Sequence, residues 1–179
     1  MMRTLGYVGV TFLLVLITAL DPFGTSAPPP ELAAGGRFFP EFDDLGQATR
    51  KNFERLGIDS KHVSDSKDAA TGVALITVDS KGENTIVVAS GANAKLQPED
   101  VSTEVFDGAS VVLTQLEVPV STNIAALRKA KAKKVLTVFN AAPAPTEPLP
   151  DELWGLCDVI CPNEPELQLL TGRKVESDS

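Results

Sequence analysis

The sequence is poor in the residues from which many metal sites and nucleophilic sites are built. Its 179 residues include two cysteines and one histidine, His62. Two cysteines are too few for a disulfide scaffold, and Cys157 and Cys161 are one residue too far apart for a Cys-x-x-Cys motif. A single histidine argues against a histidine-rich metal site and against a Ser-His-Asp triad. We therefore expect the chemistry of this chain to depend on carboxylates, side-chain amides and backbone groups.

Positive charge is also scarce. The chain has 16 basic against 24 acidic residues, a net charge of -8, and this argues against a nucleic-acid partner, which would require a basic face. A composition of 43% hydrophobic and 22% charged residues is that of an ordinary globular protein, which excludes wholesale disorder and low-complexity architectures. The length predicts one domain.

A long apolar run is missing as well. The longest uncharged, mostly apolar run covers residues 5–20, which is shorter than the roughly 20 residues that span a bilayer. A proline- and glycine-rich stretch follows it. A secretory signal or membrane anchor within residues 1–27, a wrongly joined or divergent segment, and a core strand are the three interpretations of this run. We divide the chain into an apolar leader with a flexible linker (1–40) and a folded domain (41–179).

The folded domain begins with a helix and two β-rich runs. Asp43 and Asp44 can cap a helix that continues to about Leu56. The runs 72–78 and 85–89 flank a polar turn and predict a hairpin or two neighbouring strands.

A short helix around residues 98–105 and three strand–helix units follow. The predicted strands are 110–116, 135–139 and 159–161, and the predicted helices are 121–133, one from about Asp151, and one from about Asn163 to Gly172. Near-continuous apolar strands that alternate with helices indicate a parallel sheet covered on both faces. The predicted fold class is therefore α/β, with an open, mainly parallel sheet and helices on both faces.

Polar side chains follow all three of these strands. Glu117 follows the first, Asn140 the second and Asn163 the third. The carboxyl ends of parallel strands meet at one edge, where open α/β sheets bind their ligands. Each residue also has a structural interpretation: a solvated loop residue for Glu117, a left-handed turn residue for Asn140, and the N-cap of the next helix for Asn163. Together the three residues predict a ligand site at this edge.

Seven short segments, in this order, carry a resemblance to a known family. They are Asp43-Asp44-Leu45-Gly46, Ala70-Thr71-Gly72-Val73-Ala74, Gly82-Glu83-Asn84, Gly91-Ala92-Asn93, Gln115-Leu116-Glu117, Asn140-Ala141-Ala142-Pro143-Ala144, and Asn163-Glu164-Pro165-Glu166 followed by Leu170-Thr171-Gly172. Residues 43–172 thereby resemble the ribokinases, in the phosphofructokinase-B-type family of carbohydrate kinases. The resemblance implies a ribokinase-like fold in which residues 70–90 form part of a small β lid, and a domain that is truncated at both ends.

The resemblance also implies an activity and site residues. The activity is the ATP-dependent transfer of a phosphoryl group to the 5-hydroxyl of D-ribose. Glu117 resembles the strand-end glutamate that accepts hydrogen bonds from sugar hydroxyls. Asn163 and Glu166 resemble the Asn-x-x-Glu motif of the family, in which the asparagine binds phosphate oxygens and the glutamate holds hydrated Mg²⁺ through water. Their i, i+3 spacing puts both on one face of a helix start.

The resemblance implies further parts outside this chain. The catalytic base, the adenine site and the monovalent-cation (K⁺) site are expected beyond Ser179, so we expect the chain alone to be inactive. In the family the lid pairs two subunits, which implies a homodimer. The family implies a cytoplasmic location, against the secretory or membrane-anchored alternative for residues 1–27. The alternative function is a non-catalytic, kinase-derived module for binding or dimerisation.

Overall fold

Among the residues that the structure describes, eight strands form one large sheet and one hairpin. The computed structural model describes residues 14–18, 31–38, 44–80 and 84–174. In chain order the strands are β1 (Leu14–Thr18), β2 (Glu31–Phe38), β3 (Asp59–Asp65), β4 (Val73–Val78), β5 (Asn84–Ala89), β6 (Val111–Thr114), β7 (Leu136–Phe139) and β8 (Val159–Ile160). The large sheet has the order β3-β2-β1-β6-β7-β8, and β4 and β5 form the hairpin.

The pairing of the strands confirms a mainly parallel sheet. β6, β7 and β8 run parallel to one another, and β2 runs parallel to β3. β1 is antiparallel to both of its neighbours, β2 and β6. The predicted α/β fold with an open, mainly parallel sheet is therefore confirmed.

The described ranges hold four α-helices. They are α1 (Asp44–Leu56), α2 (Val120–Ala132), α3 (Asp151–Leu156) and α4 (Glu164–Thr171). Within the same ranges, no helix combines the length and the apolar character that a membrane crossing requires. The single helix predicted around residues 98–105 is wrong. Two separate 3₁₀ turns, Pro98–Asp100 and Thr103–Phe106, replace it, because Gln97 and Ser102 each cap a new turn.

Two strands lie within the first forty residues. β1 is part of the apolar run 5–20, and the core-strand interpretation of that run predicts such a strand. β2 forms where the sequence predicts a flexible linker, although its alanines and glycines have low β-propensity. Backbone pairing with β1 on one side and β3 on the other accounts for this strand. The other residues of the leader lie outside the described residues, and the division of the chain at residue 40 stays a prediction.

The hydrophobic core fills the space between one face of the sheet and two helices. Val112 of β6 and Phe139 of β7 are fully buried on this face, against Leu127 of α2 and Leu153 of α3. The ring of Phe139 meets the ring of Trp154 edge-on, with centroids 6.3 Å apart at 82°. Full burial of one such side chain stabilises the folded protein by about 1.5–3 kcal/mol. This core holds β6 and β7, whose ends carry the candidate site.

A polar cluster ties α2 to β7 and to Asp158, the residue before β8. Oδ2 of Asp158 accepts hydrogen bonds from the backbone N–H of Thr137, at 2.9 Å, and from its hydroxyl, at 2.8 Å. Oδ1 of Asp158 pairs with Nζ of Lys131, near the end of α2. The Lys131 amine, followed by the two Thr137 donors, lowers the pKa of Asp158 from 3.8 to about 2.

The hairpin exposes apolar side chains on both of its faces. Leu75 lies opposite Val87, and Ile76 lies opposite Ile86. Residues directly opposite each other share a face, so the two pairs lie on opposite faces. Leu75, Val87 and Ile86 are all exposed. A hairpin with two apolar faces is suited to contacts on both sides.

The two ends of the hairpin meet at a close backbone contact. Gly91 has φ +53°, and a Cβ at this position would lie 2.3 Å from the carbonyl oxygen of Ala70. The next N–H, that of Ala92, donates to the same carbonyl oxygen at 2.7 Å. Only glycine allows both this φ and this approach. The Gly-Ala-Asn segment therefore holds the base of the hairpin together.

Candidate active site

The three predicted strand-end residues lie at the same edge of the sheet. β6, β7 and β8 are adjacent and parallel, and Glu117, Asn140 and Asn163 follow them within one to three residues. Backbone bonds also join the first two strand ends, because Asn140 N–H donates to the Thr114 carbonyl oxygen at 2.8 Å. The structure thus brings these residues to the edge at which open α/β sheets bind ligands.

Glu117 is half-buried in the loop between β6 and α2. Its backbone N–H donates to Oε1 of Gln115, and the carbonyl oxygen of Gln115 accepts a bond from Nδ2 of the buried Asn123 at 2.8 Å. Burial raises the pKa of Glu117 above its ordinary 4.5. Among the described residues, no group donates a hydrogen bond to its carboxylate. This carboxylate is therefore partly desolvated and open to a donor from a ligand.

Asn163 and Glu166 bind each other at the start of α4. Oδ1 of Asn163 accepts from the Glu166 N–H at 2.8 Å, and its Nδ2 donates to Oε1 of Glu166 at 2.9 Å. Oε2 of Glu166 accepts from the Asn163 N–H at 2.9 Å. Asn163 is thus the N-cap of α4, as one of the two interpretations predicts, in a capping box. Asn163 is exposed, whereas Glu166 is buried.

The capping box leaves bonding capacity for a ligand. The second hydrogen on Nδ2 of Asn163 is not used by the bond to Glu166. Each carboxylate oxygen of Glu166 accepts one of these bonds and has about two lone-pair sites. The N-terminus of α4 also favours anions.

Asn140 shapes its own loop. Its Oδ1 accepts a bond from the Ala142 N–H at 3.0 Å, which is the bond of an Asx turn. The left-handed backbone considered for Asn140 is wrong, because Lys134 is the one non-glycine residue with positive φ in the described ranges.

A cavity that the sequence did not reveal lies beside these strand ends. It has a volume of about 460 Å³ and is lined by Leu116, Val120 and residues 143–150. A proline-rich loop between a strand and a helix is typical of a stiff connection. Rigid prolines explain how the loop can keep an open concave surface.

The side chains of the candidate site fit a hydrated magnesium ion better than a metal ion that is bound by protein side chains alone. No group of three His, Cys, Asp or Glu side chains that could hold a metal occurs within the described ranges. Mg²⁺ usually keeps several waters and takes one or two carboxylates together with substrate phosphates. The free lone pairs of Glu166 could accept a hydrogen bond from such a metal-bound water.

The fold is that of an open, mainly parallel α/β domain with polar strand ends and a small apolar hairpin. Open α/β domains as a class bind ligands at the carboxyl ends of their strands. The family model described as "pfkB family carbohydrate kinase" matches residues 42–179. The chain belongs to this family.

The chain is similar to several ribokinases. It is 42% identical over 138 residues to a ribokinase of Staphylococcus aureus (strain COL), an alignment that covers 76% of this chain and 45% of that protein. It is 39% identical over 138 residues to the Haemophilus influenzae ribokinase, with 76% and 44% covered. The solved structure of Arabidopsis thaliana ribokinase complexed with ribose and ATP matches with a TM-score of 0.71 at 29% identity, over 83% of this chain and 48% of that one. This chain therefore spans less than half the length of these relatives.

Proposed function

We propose that this chain is part of a carbohydrate kinase that phosphorylates D-ribose to D-ribose 5-phosphate with ATP. The observation that carries the proposal is the half-buried carboxylate of Glu117 at the same sheet edge as the Asn163–Glu166 pair. Membership of the carbohydrate kinase family and 39–42% identity to two ribokinases support it. The cytoplasm is the proposed location, since the family resemblance implies it.

Glu117 is the proposed sugar ligand. A carboxylate accepts stronger hydrogen bonds than a neutral oxygen does, and partial burial strengthens them further. A site that bonds a hydroxyl in this way discriminates against a sugar that lacks the hydroxyl. Because burial raises the pKa of Glu117, ribose affinity should fall on acidification at a pH above the ordinary glutamate value of 4.5.

Asn163 and Glu166 are the proposed phosphate and magnesium residues. The unused Nδ2 hydrogen of Asn163 is suited to a phosphate oxygen at the start of α4. Glu166, held by its two bonds from Asn163, is suited to a water in the Mg²⁺ shell. When bound, Mg²⁺ neutralises charge on the transferring phosphoryl group. The role of the protein is to position the reactants and exclude water.

The catalytic base, the adenine site and a K⁺ site are proposed for parts of the domain that have no counterpart in residues 1–179. We therefore expect this chain alone to release no ADP in the presence of D-ribose and ATP.

The hairpin is the proposed lid and homodimer contact. Its two apolar faces are suited to two different contacts, one over the sugar and one with a second subunit. The pairs Leu75–Val87 and Ile76–Ile86, of which Leu75, Val87 and Ile86 are exposed, lie on opposite faces, which is what such a double role requires.

A chimera tests the proposed function. Residues 42–179 would replace the matching segment of the Staphylococcus aureus ribokinase, and formation of ribose 5-phosphate would be measured. We expect activity in the chimera. Glu117→Gln should lower kcat/KM for ribose by about tenfold to a hundredfold, the cost of weakening hydrogen bonds to a charged group. The exposed Glu104 provides the matched control, and Glu104→Gln should leave kcat/KM unchanged.

A second outcome would favour the non-catalytic module. A folded chimera that dimerises but forms no ribose 5-phosphate would contradict the kinase proposal. The two apolar faces of the hairpin would then point to dimerisation as the function of this chain.

A further inference from the structure

One buried position on α2 carries a polar side chain where the helical pattern predicts an apolar one. A buried stripe runs along α2 through positions 123, 126, 127 and 130, the i, i+3, i+4, i+7 spacing of a core-facing side. The last three positions are Ala126, Leu127 and Ala130, but the first is Asn123, which is only 2% exposed. Burial of a side-chain amide is unfavourable unless it forms hydrogen bonds, and asparagine is also a poor helix former. Neither packing nor helix formation therefore explains this residue.

A hydrogen bond to the loop between β6 and α2 does explain it. Nδ2 of Asn123 donates to the carbonyl oxygen of Gln115 at 2.8 Å. The side chain of the same glutamine accepts a hydrogen bond at Oε1 from the backbone N–H of Glu117. Asn123 thus holds residue 115, and residue 115 in turn holds the backbone of residue 117.

The carboxylate of Glu117 depends on this backbone for its place. The residue is half-buried, and among the described residues no group donates a hydrogen bond to its carboxylate. The hydrogen bonds behind the carboxylate are therefore what keeps it at the sheet edge. A binding group that is fixed in this way loses less conformational freedom when its ligand arrives.

We propose that Asn123 is a positioning residue, which fixes Glu117 at the sheet edge through Gln115. Its helix is anchored in the core by the fully buried Leu127, so the two hydrogen bonds tie the loop to a fixed element. The consequence for sugar binding rests on the proposed function, in which Glu117 is the sugar ligand. The hydrogen bonds themselves do not depend on that assignment.

The alternative is that Asn123 only stabilises the fold, and its neighbour Thr122 provides the comparison. Thr122 is also 2% exposed, and its hydroxyl donates to the carbonyl oxygen of Leu96 at 2.8 Å. That bond joins α2 to the segment after the hairpin and does not involve residues 115–117. Two adjacent residues of equal burial thus each donate a side-chain hydrogen bond to a backbone carbonyl oxygen, but only the bond from Asn123 leads to Glu117.

A titration of Glu117 in the full chain, residues 1–179, tests the proposal without any enzyme activity. The pKa of Glu117 would be measured by NMR, from the pH dependence of its carboxyl-carbon chemical shift. Burial raises this pKa, and no charged group among the described residues adds to the effect. We expect Asn123→Leu to lower the pKa towards the ordinary 4.5, because a released loop exposes the carboxylate to water. Thr122→Val is the matched control and should leave the pKa of Glu117 unchanged while it lowers Tm.

Gln115→Met gives a second route to the same measurement if Asn123→Leu does not fold. It removes the acceptor of the Glu117 N–H but keeps a backbone carbonyl at position 115 for Asn123. We expect the pKa of Glu117 to move in the same direction. In the chimera that carries residues 42–179, both variants should raise KM for ribose by about threefold to tenfold and change kcat by less than about twofold.

Two results would overturn the proposal. One is an unchanged pKa of Glu117 in the folded variants, and the other is an equal shift of this pKa in Thr122→Val, which would indicate general loosening of α2. A lowered pKa without a change in KM for ribose would contradict the sugar-binding role of Glu117 and leave the positioning role of Asn123 supported.

Discussion

Thr137 gives the sharpest stability prediction. It is fully buried on β7, and its hydroxyl lies 2.7 Å from the carbonyl oxygen of Leu156 and 2.8 Å from Oδ2 of Asp158. The N–H of Asp158 also donates to this hydroxyl at 3.0 Å. Thr137→Val keeps the shape and the β-branch of the side chain but removes all three contacts. The substitution therefore isolates the side-chain hydrogen bonds that join β7 to the end of α3 and to Asp158, the residue before β8.

The expected loss of stability in Thr137→Val depends on which hydrogen bonds the partners of the hydroxyl keep. The Asp158 N–H keeps its bond to the Thr137 carbonyl oxygen at 3.0 Å, so the main loss is the hydroxyl proton shared between Leu156 and the Asp158 carboxylate. A hydrogen bond of this kind, partly to a charged group, contributes about 2 kcal/mol. For a chain of this length, that corresponds to a fall in Tm of about 4–8 °C. Thermal unfolding followed by circular dichroism would measure it.

Thr114→Val is the matched control. Thr114 is buried on the same face of the neighbouring strand, but among the described residues its hydroxyl has no hydrogen-bond partner. Removal of this hydroxyl should raise the free energy of unfolding by no more than about 0.5 kcal/mol. Equal losses of Tm in the two variants would refute the assignment of stability to the Thr137 hydroxyl.

Two further predictions concern Asp158 and Gly91. The lowered pKa of Asp158 means that its contribution to stability is complete above the unfolded value of 3.8 and is lost as pH falls through about 2. Asp158→Asn should therefore be less stable than the parent chain at neutral pH. Urea titrations should show that the difference in free energy of unfolding between the two chains becomes smaller as the pH falls through this range. A difference that does not change with pH would contradict the pairing of Asp158 with Lys131 and Thr137. Gly91→Ala should destabilise the chain by about 1–3 kcal/mol, because the new Cβ would meet the Ala70 carbonyl at a positive φ. Its control, Gly155→Ala in α3, meets nothing within 4 Å and should stabilise by about 0.5–1 kcal/mol; a Gly91→Ala chain as stable as the parent would contradict the tight contact.

Strong local patterns made much of the fold predictable. The apolar runs of β6, β7 and β8 and the helical spacing of α2 agree with the structure to within one or two residues. β2 and β3 were not predictable, because their sequences, ELAAGGRF and DSKHVSD, have neither β-propensity nor alternation. Their strands depend on pairing with each other and, for β2, with the distant β1.

The candidate site was predictable in position more than in detail. Strand-end placement indicated one sheet edge for Glu117, Asn140 and Asn163, and the i, i+3 spacing put Asn163 and Glu166 on one face. The reciprocal bonds of that pair and the cavity under the proline-rich loop depend on three-dimensional packing, which a linear pattern does not encode. Whether these residues bind sugar, phosphate and magnesium stays a prediction.

Ribose-dependent ADP release by the chimera that carries residues 42–179 tests the central claim most directly. The account predicts a saturable rate of the same order as that of the unmodified S. aureus ribokinase, with a loss of ribose affinity in Glu117→Gln. A folded chimera that binds ATP but shows no ribose-dependent ADP release would contradict it.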